Sequence, residues 1–223
     1  MNDENLAEVW GEDYAAAVRR DAHQLLAWSY ADTKHMLIEA KDEYEITGLL
    51  SDGMNARIDS VETPERFTMY AVQNEKPTSP FGQKGKDRPK LDIQIERCGV
   101  RPKEYFTFEA KRMRDDSLVS KNKSMKEYLG SEGIDRFLSE KYSSESSEAA
   151  MLGCVQKHDP DFWLDEIGAA FLSEGLDGKI YAVKKFLLNT QVVSDLKFER
   201  LSVHQRVSGT TIGIYHLFID CRP

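Results

Sequence analysis

The sequence predicts an α/β domain whose β core carries helices on its sides, and three observations predict it. Apolar residues recur at helical intervals up to Met54. Strict alternation replaces that spacing in 91–96 and 106–111. Further helical stretches then lead to a final β-rich run. Over residues 12–30, Tyr14, Val18, Leu25 and Leu26 stand at helical spacing among alanines and charged residues. Residues 31–54 continue with Met36, Leu37, Ala40, Ile46, Leu49 and Leu50, so two helices, or one bent helix, are expected, with Ser51-Asp52-Gly53 near the end.

After Thr63-Pro64, the stretch RFTMYAVQ at 66–73 suits a strand. Residues 74–88, NEKPTSPFGQKGKDR, have no apolar periodicity and read as a long polar loop. In KLDIQIE, Leu91, Ile93 and Ile95 alternate with Asp92, Gln94 and Glu96. A turn at 99–102 follows, and in YFTFEAKRM, Phe106, Phe108 and Ala110 alternate with Thr107, Glu109 and Lys111. A period of two places Glu109 and Lys111 on one face of a strand and the two phenylalanines on the other. Residues 125–129, 133–141, 161–172 and 180–189 read as helices. The stretch SSESSEAA leads into an element carrying 149–155, and TIGIYHLFIDC reads as a buried terminal strand.

With 223 residues, 40% hydrophobic and 30% charged, the chain is long enough and apolar enough to fold around a substantial core. No apolar run reaches the roughly 18 residues that span a bilayer. The N-terminal MNDENLAEVWGEDY lacks the basic and apolar regions of a signal peptide, so a cytoplasmic protein without a membrane partner is expected. Cys98, Cys154 and Cys221 are widely spaced with no CxxC, which reads as free thiols. The net charge of -8 opposes a nucleic-acid partner, but it is unevenly spread. Residues 84–126 hold 13 Lys or Arg against 7 Asp or Glu. Such a segment can track phosphates locally, and a solvated basic loop has the same composition.

That basic segment contains the chemistry-bearing pattern: Asp92 in one strand, then Glu109-Ala110-Lys111 in the next. Magnesium and manganese prefer hard oxygen ligands, which Asp92, Glu109 and the Ala110 carbonyl can supply. A metal held there would polarise a phosphate and help generate hydroxide. Lys111, two positions from Glu109, points the same way and can orient the attacking water or offset charge in the transition state. Charged residues on the wet face of an amphipathic sheet would show the same alternation.

Asp92 with Glu109-Ala110-Lys111 resembles the PD-(D/E)xK nuclease superfamily, the restriction-endonuclease-like fold. The resemblance implies a mixed central sheet flanked by helices and a metal-dependent centre of Asp92, Glu109 and Lys111. The proline that normally precedes the first acid is displaced: Pro89 lies three residues upstream. One domain over 1–223 is expected, with an N-terminal helical segment at 12–56 and a catalytic core at about 35–160. Many members add a helical acid before the first strand; Glu45 is the first choice for it, with Glu43 and Glu39 as rivals, and it would serve as a further metal ligand. The implied activity is magnesium-dependent hydrolysis of phosphodiester bonds, as a DNA endonuclease of restriction, repair or phage defence, with manganese as a substitute ion. Specificity would come from a homodimer or a partner protein. The alternative is a catalytically inactive member acting as a binding or assembly subunit.

Arg112, Arg114 and Lys123 are the candidates for nucleic-acid contact, as phosphate partners or leaving-group stabilisers. Gln156 and Lys157 are weaker candidates for the same cleft. His216 reads as a satisfied polar residue in the terminal strand and Tyr128 as a packing residue. HExxH, GxSxG, GxGxxG and GxxxxGK[ST] are all absent, which removes support for zinc proteases, serine hydrolases and nucleotide-binding folds.

Overall fold

The apolar spacing of the N-terminal segment resolves into two helices. The computed structural model describes residues 3–40, 42–77, 90–99, 103–142, 145–172, 184–187 and 191–223. Helix α1 (Asp3–Leu37) buries Val18, Ala22, Leu25 and Leu26 along one stripe, and α2 (Glu43–Ile58) buries Ile46, Leu50, Met54 and Ile58 at every fourth position. Gly53 does not end the second helix. A Cβ there would lie 2.4 Å from Ser29 Oγ, so glycine lets the two helices approach closely. Ser29 Oγ also donates to the Leu50 carbonyl at 2.7 Å.

Pro64 opens a 3-10 turn over Glu65–Met69, which shortens the strand expected from residue 66. The strands are β1 (Tyr70–Pro77), β2 (Lys90–Arg97), β3 (Tyr105–Met113), β4 (Glu148–Val155), β5 (Lys184–Leu187), β6 (Glu199–Gln205) and β7 (Thr211–Asp220). Between β3 and β4 lie α3 (Lys121–Leu129) and α4 (Ile134–Leu138), and α5 (Pro160–Leu172) follows β4. The helix expected over 180–189 is replaced at Lys184–Leu187 by a strand pairing with β6. The rest of that stretch lies outside the described residues, as do 78–88 of the expected polar loop and Pro89.

The strands form one mixed seven-stranded sheet, ordered β1-β2-β3-β4-β7-β6-β5. β3, β4 and β7 are parallel at its centre, and the flanking pairs are antiparallel. One face carries Ile93, Ile95, Phe106, Phe108, Leu152 and Leu217 against α1 and α2. The other carries Met113, Met151, Ile214 and Phe218 against α3, α4 and α5. The α/β class and the mixed sheet flanked by helices follow directly. Phe106 and Phe108 are buried, each contributing about 1.5–3 kcal/mol. A one-residue slip of β3 would turn them to the face that carries Glu109 and Lys111, so the aromatic face fixes the register of the charged one.

Candidate active site

The antiparallel ladder between β2 and β3 ends at the pair Ile93↔Phe108. One step further, Asp92 and Glu109 would stand opposite each other. Instead, the Asp92 carboxylate replaces the next ladder bond and accepts the Ala110 N–H at 2.8 Å. Alternation also changes there: Leu91 packs with the second core and Ile93 with the first. The end of the ladder therefore brings an acid of β2 to the backbone between Glu109 and Lys111.

Lys111 Nζ is the hub. It donates to Ala110 O at 2.6 Å, Glu109 Oε1 at 3.0 Å and Glu43 Oε1 at 3.1 Å, and lies 3.9 Å from Asp92 Oδ2. Exposure of these side chains rises in order: 1% for Glu109, 8% for Lys111, 21% for Asp92 and 36% for Glu43. Glu109 forms the floor and Glu43 the rim. Burial pushes the Glu109 carboxyl up to about 8, reinforced by Asp92 and opposed by Lys111 and Arg136. Burial also raises Asp92 to about 6, against the pull of Lys111. Desolvation alone would lower the Lys111 ammonium, but the summed attraction of Glu109, Glu43 and Asp92 holds it above its ordinary range. In this arrangement the ammonium form of Lys111 is the favoured one.

Glu43, not Glu45, supplies the helical carboxylate that meets Lys111. Asp42 caps α2 by accepting the Glu45 N–H at 2.8 Å, which fixes where the helix begins. Positions 43 and 45 then differ by about 200° around the axis. Glu43 shares the face of the buried Ile46, Thr47 and Leu50, whereas Glu45 and Glu39 are exposed. The spacing of 43, 46, 47 and 50 is a sequence signal that favours Glu43.

Two supporting residues had no sequence signal. Arg136 of α4 lies 3.4 Å from Glu109 Oε1 and also bonds Glu132 and the Tyr142 hydroxyl. Tyr142 in turn donates to the Lys90 carbonyl at the start of β2. This bracket joins the floor carboxylate to the strand that delivers Asp92. Glu75 of β1 faces Asp92 from the other side, between the pairs Asn74↔Ile93 and Lys76↔Leu91, and holds a left-handed φ of 49°.

An open cleft of about 390 Å³ adjoins the outer members of this cluster. Asp42, Glu43, Glu75, Asp92 and Glu127 line it together with Arg112, Arg114 and Lys123, the three cations expected to contact nucleic acid. Arg114 is paired with Asp116, and Lys123 lies 3.8 Å from Glu127. Gln156 donates instead to the Ala40 carbonyl.

Comparison of the chain with protein-family models, with curated proteins and with solved structures finds no match. The functional reading rests on the site itself.

Among the described residues, no three His, Cys, Asp or Glu side chains converge as a ready metal cage. The donor chemistry nonetheless suits a hard divalent cation. Glu109 Oε2 is buried without a hydrogen-bond partner, and Lys111 Nζ links Glu109 Oε1 to the Ala110 carbonyl and lies 3.9 Å from Asp92. Lys111 Nζ occupies the space between these oxygens.

The histidines stand apart. Within the second core, Tyr128 Oη and Ser202 Oγ hydrogen-bond the two ring nitrogens of His216 at 3.0 and 2.7 Å, and Ser202 also bonds His204 Nε2. Burial lowers both histidines, His204 to about 3, so this chain is neutral. The three cysteines are free, and no described helix is long and apolar enough to cross a membrane.

Proposed function

We propose that the chain is a metal-dependent nuclease that hydrolyses phosphodiester bonds, with DNA as substrate in a restriction, repair or phage-defence setting. The observation that carries this reading is the convergence of Asp92, Glu109 and Glu43 on the ammonium of Lys111, with Asp92 and Glu43 also lining a cleft that holds Arg112, Arg114 and Lys123. Asp92 and Glu109, with the Ala110 carbonyl, would hold magnesium or manganese, which when bound supplies Lewis-acid polarisation of the phosphate and a lowered pKa for bound water. Lys111 hydrogen-bonds two of these groups, Glu109 and the Ala110 carbonyl, so the lysine and the ion would share ligands. Lys111 stays protonated and offsets negative charge on the phosphoryl oxygens. Glu43 holds its ammonium at the rim, and Arg112, Arg114 and Lys123 attract the strand backbone.

One observation favours a second reading. With a lysine between the carboxylates and no ready cage among the described residues, the same site suits a catalytically inactive binding or assembly subunit. Cleavage of supercoiled, linear and single-stranded DNA and of RNA, in magnesium or manganese, separates the two. Cleavage abolished by EDTA and by Lys111→Ala supports the nuclease. A folded wild type that cuts none of these substrates supports the inactive subunit.

A further inference from the structure

The two residues that open α2 face different tasks. Glu43 turns toward Lys111, while Tyr44 lines the cleft and remains 64% exposed. An exposed ring of this size leaves a broad apolar face in water. Among the described residues that face has no aromatic or cationic partner, although Arg112, Arg114 and Lys123 line the same cleft. Val119 adds a second apolar contact surface to the lining, and the adjoining Leu118 is 81% exposed. The cleft therefore combines three elements: Asp92 and Glu43 from the cluster around Lys111, the cations Arg112, Arg114 and Lys123, and an exposed aromatic ring at the start of α2.

From this arrangement we infer that a nucleobase flanking the scissile phosphate stacks on Tyr44, and hence that the site takes an unpaired strand in preference to a duplex. The inference rests on the nuclease reading and adds the substrate class. Within a duplex, both faces of a base are covered by its stacked neighbours, and only an unpaired or splayed base can offer a face to a side chain. A space of about 390 Å³ has room for one nucleotide with its phosphate. Stacking tolerates any base, because every base has a π-face, so the subsite selects for strandedness rather than sequence.

The experiment uses oligonucleotides carrying 2-aminopurine, single-stranded or annealed, titrated with the full chain in calcium. Binding to the single strand should quench the fluorophore and be at least about fivefold tighter than binding to the duplex. Tyr44→Ala should weaken single-strand binding about tenfold, the size of one lost base–aromatic stack, whereas Tyr44→Trp should retain both affinity and quenching. Equal affinity for the two forms, no binding, or an unchanged Tyr44→Ala variant overturns the inference. A parallel cleavage assay in magnesium keeps the two ideas separate. Cutting of both forms at equal rates leaves the nuclease and removes the stacking subsite. Selective single-strand binding without any cutting retains the subsite and removes the nuclease.

Discussion

Glu43 and Lys111 stand 68 residues apart in sequence and meet at 3.1 Å, joining the start of a helix to the centre of a sheet. Glu43 is therefore a positioning group for the lysine. Glu43→Gln should lower the rate of magnesium-dependent cleavage about 10- to 100-fold, as loss of such supporting partners generally does. Glu45→Gln, on the exposed side of the same turn, should leave it within about twofold, because surface substitutions away from a site act weakly. Single-turnover rates for the two variants test this directly. Equal losses would place both acids in the site.

Arg136 is the second support of Glu109. In its absence the buried carboxylate keeps Lys111 alone, and the bracket through Tyr142 to Lys90 opens. Arg136→Ala should raise the magnesium midpoint for cleavage about tenfold or more. Arg136→Lys, which restores charge without the planar fork, should recover part of that loss. Circular dichroism should show both variants folded.

The buried histidines give the protein an acid-sensitive core. His204 and His216 are held neutral by burial, His204 with a folded value of about 3 against 6.5 for the free group. Between those values the unfolded chain binds protons that the folded chain refuses. The stabilising contribution is thus complete above about pH 6.5 and is lost progressively as pH falls toward 3. Urea midpoints should decline through that window, and His204→Asn should make the decline shallower.

Gly153 lies beside Lys111 in the β3–β4 register and faces Phe218 of β7. A Cβ there would come within 2.3 Å of the Phe218 ring. Gly153→Ala should cost about 1–3 kcal/mol through overpacking, seen as a lower thermal midpoint, unless the ring finds another rotamer.

Much of this layout was legible in the sequence where a period was unbroken. Alternation in 91–96 and 106–111 gave two strands with the acids and lysine on one face, and the continuous apolar run gave β7. The helical reading of 180–189 failed at Lys184–Leu187 because pairing with β6 outweighs local preference in a short segment. Glu45 was preferred to Glu43 because the onset of α2 depends on the Asp42 cap, and a shift of two residues turns a side chain to the opposite side. Arg136 and Tyr142 carry no local pattern at all. Only the packing of α4 against the sheet brings them to Glu109.

The position of β7 has a consequence for how the chain must be assembled. Residues 211–220 supply the strand between β4 and β6, and Tyr30 of α1 anchors to the Asp220 backbone at 2.9 and 3.2 Å. Without β7, β4 would present an unpaired apolar edge, the kind of edge that other chains can pair with. Sheet closure joins segments far apart in sequence, a topology that slows folding. The apolar flank of β4 is thus covered by a partner 65 positions further along the chain, as the pair Glu148↔Gly213 shows.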